Sequence, residues 1–82
     1  MRLNIITPDQ PVFEGDITSV TVPGTTGAFE VLENHAPIVS TLDSGKVTIR
    51  TAKGEEIIEI TGGVVEVINN KVTLLAEGIT ER

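Results

Sequence analysis

Few residues in this chain have the chemistry for a reactive site. His35 is the one histidine. The acid Glu33 lies two residues before it, but no nucleophile sits at a spacing that would make His35 a working base. A general base or a metal centre needs several converging partners. His35 is therefore read as a loop residue that bonds locally or lies at an interface; the competing reading is a small hydrolase that uses it as base. Glu55, Glu56 and Glu59 are closely spaced acids, yet they lack the Asp-x-Asp pattern and the glycine of a calcium loop. With Lys46, Arg50 and Lys53 nearby, they read as a solvated outer face with cross-strand charge pairs. Gly24-Thr25-Thr26-Gly27 is glycine-rich but has neither the lysine nor the following helix of a phosphate loop, so it reads as a turn. The expectation is no catalytic residue, no metal ligand and no cofactor.

Composition narrows the field of partners. The 82 residues fit one domain, spanning 1–82. Cysteine is absent, which removes thiolate chemistry and a disulfide framework. Twelve acids against six bases give a formal net charge of -6. Such a chain repels phosphate backbones and anionic lipid surfaces, and Phe13 and Phe29 are too few aromatics for a base-stacking platform. No nucleic-acid partner is expected. No stretch approaches the roughly 20 apolar residues that span a bilayer, and the first residues do not form a signal-peptide core. The chain is expected to be soluble and intracellular.

The elements that would position these residues are strands. Helical periodicity is missing, Gly and Pro recur, and β-branched residues are abundant. Leu3 and Ile5 alternate with polar residues in a first strand ending near Thr7-Pro8. Phe13 to Val22 is a second extended stretch, and Ala28 to Leu32 a short strand. Asn34 to Pro37 is a loop, followed by the apolar pair Ile38-Val39. In the second half, Lys53-Gly54 and Asn69-Asn70 suit two-residue hairpin turns. They set Ile49 opposite Ile58, Val47 opposite Ile60, Thr48 opposite Glu59, Val67 opposite Val72, and Val65 opposite Leu74. A third turn at Gly62-Gly63 would add Ile60 to Val65 and Ile58 to Val67; alternatively, those glycines carry the chain from one sheet to another. The implied class is all-β, with two sheets of short strands packed as a β-sandwich or a flattened barrel.

Two segments carry a more specific signal. They are Pro23 to Pro37 (PGTTGAFEVLENHAP) and Ile60 to Val67 (ITGGVVEV). With Phe13-Glu14-Gly15 and Val72-Thr73-Leu74-Leu75-Ala76, they resemble the epsilon subunit of F-type ATP synthases over essentially the whole chain. The resemblance implies a non-catalytic β-sandwich in the central stalk of a rotary enzyme. It implies binding to the gamma subunit along one side and to the ring of c subunits at one end, helping to couple ion flow to rotation. It places Thr7, His35 and Ser40 at the gamma interface and Thr26, Gly27, Ala28, Phe29 and Glu30 in the ring-contact loop. Some relatives carry an acid at the position of Ala28; here Glu30 is nearby instead. Many continue into a two-helix hairpin, whereas this sequence ends at Arg82, as a short form would. Localisation would be peripheral, on the cytoplasmic face of a bacterial inner membrane, reached only through the complex. The alternative is an all-β carrier domain modified at Lys53. That lysine sits at a predicted hairpin tip, but Ala52-Lys53-Gly54 matches neither the lipoyl nor the biotinyl pattern.

Overall fold

The computed structural model describes residues 1–80. Arg82, at which the sequence analysis ends the domain, lies outside them. Among the described residues nine strands follow one another and there is no helix: β1 (Arg2–Ile6), β2 (Pro11–Asp16), β3 (Ser19–Gly24), β4 (Gly27–Leu32), β5 (Ile38–Leu42), β6 (Gly45–Thr51), β7 (Gly54–Ile60), β8 (Gly63–Ile68) and β9 (Lys71–Ala76).

Hydrogen bonding arranges them in two layers. The first runs β2-β1-β9-β8-β5, and the second runs β4-β3-β6-β7. One residue pair, Gly24 with Leu42, joins β3 to β5 and links the layers at a corner. The nine strands thus form one curled sheet with two faces packed together, as the sandwich or flattened-barrel expectation requires. The curl stays open between β2 and β7, the ends of the strand order.

Alternation decides which side chains fill the interior. In the first layer the inward rows are Leu3–Val72–Val67–Ile38 and Ile5–Leu74–Val65–Ser40. The second layer supplies Val31–Val20–Ile49, Val22, Val47 and Ile60. Nearly all are aliphatic and inaccessible to solvent. Each is worth about 1.5–3 kcal/mol of transfer free energy, so the core needs no large aromatic centre.

The turns separate correct expectations from incorrect ones. Asn69 and Asn70 have φ of 52° and 62°, the left-handed pair a tight hairpin needs. The register of Val67 with Val72 and Val65 with Leu74 is as expected. In the β6–β7 hairpin the turn is Ala52-Lys53, not Lys53-Gly54. Val47 therefore meets Ile58, Thr48 meets Ile57 and Ile49 meets Glu56. This two-residue slip keeps every side chain on its expected face, where a one-residue slip would not. Its effect is to put Glu56 on the inward row of an edge strand, where a charge discourages edge-to-edge pairing. The Gly62-Gly63 hairpin is absent. Ile60 pairs with Gly45 in the second layer while Gly63 pairs with Leu42 and Ala76 in the first, so these glycines carry the chain across. Phe13 to Val22 is likewise two strands. The break at Ile17-Thr18 moves the chain between layers, and the two amides bond the Met1 and Arg50 carbonyls.

Candidate functional site

Both outer surfaces carry ion pairs, on the first layer from Arg2 to Glu14 and Asp16, but they differ in where apolar side chains adjoin. On the second layer, Arg50 organises a charged face. Its guanidinium contacts Glu30 and Glu55, each at 3.2 Å, and donates to the Thr21 hydroxyl at 3.1 Å. Arg50 faces Glu55 and Lys46 faces Glu59 in the strand register, which agrees with the expected outer charged face for these two acids, whereas Glu56 stands opposite Ile49 on the inward row. On the first layer, the outward row is Ile6–Leu75–Val64–Thr41. Leu75 is 51% exposed, Val64 37%, and Val39 on the adjoining strand 70%. Ile68 adds a further exposed apolar side chain at the far end of β8. Ile6, Thr7, Pro8, Leu75 and Ala76 line a shallow apolar depression at one end of this face.

The residues singled out from the sequence fall around this layer without forming a cluster. Thr7 follows β1 and is buried; its hydroxyl donates to the Gln10 carbonyl at 3.0 Å and accepts from the Gln10 amide. Ser40 lies on β5, three strand spacings from β1, or about 14 Å across the sheet. It is half-buried on an inward row, so its hydroxyl is turned away from the exposed apolar residues. His35 sits in the β4–β5 loop, at the end of the layer opposite Thr7. Its Nδ1 donates to the Ala36 carbonyl at 2.7 Å. Among the described residues no acid or nucleophile forms a hydrogen bond or ion pair with the ring. Thr26 to Glu30 begin at the β3–β4 tip. Thr26, Gly27 and Ala28 are exposed, Phe29 packs on the core, and Glu30 is held by Arg50 on the second layer's outer face. Lys53 occupies the β6–β7 tip, where its amide donates to the Thr51 hydroxyl. Among the described residues no group of three or more His, Asp or Glu is placed to hold a metal ion, and no helix is long and apolar enough to cross a membrane.

The exposed apolar row escaped the sequence analysis. Ile6, Val64 and Leu75 each neighbour a core residue of similar type, so composition does not distinguish them. The signal lies in parity: each is the odd member of an alternating strand.

One electrostatic cluster ties the other end together. The Met1 ammonium bonds one Glu33 oxygen and the Asn70 amide bonds the other, while Asn70 also accepts from the Asn34 amide. The ammonium first, and then Asn70, hold the Glu33 carboxyl below its ordinary value of 4.5. A lowered folded-state pKa stabilises the fold above the unfolded value, and that contribution is lost as pH falls through the folded value. Glu33→Gln should therefore destabilise the domain at neutral pH in urea titrations. The two proteins should converge once the pH is well below 4.5. A gap that persisted in acid would mean that packing, not charge, causes the loss.

Comparison with known proteins gives a consistent set of similarities. The family described as ATP synthase, Delta/Epsilon chain, beta-sandwich domain matches residues 1–82. The chain is 41% identical over 80 residues to the ATP synthase epsilon chain of Chlorobium limicola, covering 96% of this chain and 91% of that one. It is 40% identical over 81 residues to the chloroplastic ATP synthase epsilon chain of Cyanidioschyzon merolae, covering 99% of this chain but 62% of the relative. Among solved structures, a chain of the Euglena gracilis mitochondrial ATP synthase (OSCP/F1/c-ring) superposes with a TM-score of 0.88 at 20% identity, covering 95% of this chain and 51% of that one. A chain of the Tetrahymena thermophila mitochondrial ATP synthase central stalk and c-ring gives 0.85 at 16% identity, covering 98% and 65%. At such identities the structural matches speak for the fold.

Proposed function

Because this chain belongs to the delta/epsilon β-sandwich family of ATP synthases, we propose that it is a non-catalytic central-stalk subunit, binding the gamma subunit with the outer face of its first layer and the c ring with the β3–β4 tip. In this role it helps couple ion translocation to ATP synthesis without breaking bonds itself. It is peripheral to the membrane, on the cytoplasmic face of a bacterial inner membrane, and held there only through the complex.

The observation that carries the gamma assignment is the run of adjacent apolar side chains across β1, β9, β8 and β5 on the outer face of the first layer. Val39, Val64 and Leu75, with half-buried Ile6 beside them, expose apolar surface together toward the Thr7 end, whereas Arg2, Glu14 and Asp16 make the other end of the same face charged and internally paired. Contiguous exposed apolar surface is the ordinary mark of a protein contact. Thr7 and His35 sit at opposite ends of this layer, so a partner lying along it would reach both ends and would meet β5 through the outward Val39 and Thr41, not through the inward Ser40 hydroxyl. The β3–β4 tip projects at the Thr7 end, which suits a second partner met end-on. Several modest contacts act together in an assembly through high effective concentration.

The deciding experiment is co-purification of the tagged full chain from its native membranes under mild detergent, with bound proteins identified by mass spectrometry. Recovery of gamma, the catalytic subunits and the c ring is expected. Recovery of none of them would overturn the stalk assignment. An intact mass free of added lipoyl or biotinyl groups in the same preparation would remove the carrier reading of Lys53.

A further inference from the structure

The two partner surfaces assigned above meet at one corner. The outward row Ile6–Leu75–Val64 continues to Thr41 on β5. The Thr41 hydroxyl lies 2.9 Å from that of Thr25, the first residue of the β3–β4 turn. Beside it the Thr25 amide donates to the Thr41 carbonyl at 3.1 Å, and the Asp43 amide donates to the Pro23 carbonyl at 2.8 Å. Between them stands Gly24 with Leu42, the one residue pair joining β3 to β5. Within the sheet β4 pairs with β3 alone, and Thr25 to Ala28 lie beyond the Phe29 packing and the Arg50–Glu30 ion pair that anchor the rest of β4.

We propose that Thr25 and Thr41 form a clasp that seats the ring-facing hairpin against the gamma-facing layer, making Thr25 a positioning residue for ring binding. The proposal rests on the gamma and ring assignment. Its physical basis is pre-organisation. A two-residue turn on an edge hairpin moves freely unless something outside the hairpin holds it, and ordering it on binding costs affinity. Thr25 lies outside the Thr26 to Glu30 contact loop and acts through where it holds that loop. Valine at position 25 keeps the branched shape and the amide bond while removing the hydroxyl.

The test compares affinity for purified gamma with affinity for a detergent-solubilised gamma–c-ring subcomplex, using the full chain. Thr25→Val should leave gamma affinity unchanged and weaken binding to the subcomplex by about fivefold, the worth of one hydrogen bond. Thr25→Ser, which keeps the hydroxyl, should restore it. Adding Thr41→Val to Thr25→Val should cost the subcomplex nothing beyond the effect of Thr41→Val on gamma alone, because both substitutions break the same bond. Equal subcomplex binding by Thr25→Val and the native chain would overturn the clasp if Ala28→Arg at the tip still weakened that binding; the ring assignment would then stand. If the subcomplex bound the native chain no more tightly than gamma alone, and Ala28→Arg changed nothing, the ring assignment itself would fall and the clasp with it.

Discussion

Leu75→Glu combined with Val64→Glu should abolish measurable gamma binding while leaving the β-sandwich folded. Both residues point outward from neighbouring strands and face each other in the β8–β9 register. Their exposure keeps the cost to the fold small, about 1 kcal/mol for the pair together with the repulsion between two carboxylates set opposite each other. In a complex the same positions are desolvated, and an unpaired carboxylate there is costly. Each such carboxylate costs about 2 kcal/mol or more, so the pair should lower affinity by a hundredfold or more. Titration calorimetry with purified gamma reads the loss, and thermal melting confirms the fold. The control is Ile57→Glu. Ile57 is also half-exposed, but lies on the outer face of the second layer. It should bind gamma normally. Reversal, with Ile57→Glu harmful and the double variant harmless, would move the gamma contact to the other face.

The same contrast shows what could be read in advance and what could not. Periodicity sufficed for the strands, because alternation is a local property: Leu3 and Ile5, or Val65 and Val67, declare their inward face without knowledge of partners. The Asn69-Asn70 turn was legible because few residues other than Asn and Gly accept two consecutive left-handed conformations. Ala52-Lys53-Gly54 was misjudged by one position because Gly54 uses its backbone freedom just after the turn, at φ 139°, instead of within it. Pairing between distant strands was not legible at all. Nothing local to β5 announces that it will lie between β8 and β3, or that Thr41 will meet Thr25. The candidate interface suffered from the same limit. Thr7, His35 and Ser40 came from resemblance, and each has a local bonding partner. The exposed row Ile6–Leu75–Val64 exists only once β1, β9 and β8 are side by side.

Gly63→Ala should destabilise the domain more than any other single glycine substitution. A Cβ built at Gly63 falls 2.2 Å from the Leu75 carbonyl oxygen and 3.0 Å from the Ala76 Cα. Both are backbone atoms of β9, so no side-chain rotation relieves the clash; β8 and β9 must separate. Gly63 is also where the chain enters the first layer, pairing with Leu42 on one side and Ala76 on the other. Displacement there would disturb the corner that joins the layers. The expected loss is about 3 kcal/mol or more, a large fraction of the roughly 5–15 kcal/mol that stabilises a domain. For a chain of this size it corresponds to a fall of about 15 °C in Tm. Gly54→Ala separates the two physical causes. Gly54 has φ of 139°, but nothing lies within 4 Å of its added Cβ. That variant carries conformational strain alone and should lose only about 1–2 kcal/mol. Circular-dichroism melts of the two variants beside the native chain decide the point. Equal losses would mean that backbone conformation is the dominant cost at both sites. A Gly63→Ala protein melting with the native chain would mean that β8 and β9 are not in such close approach. The larger loss at Gly63 would establish why a glycine pair that looks like a hairpin turn serves instead as the passage between layers: the turn needs only freedom of φ, whereas the passage also needs the absence of a side chain.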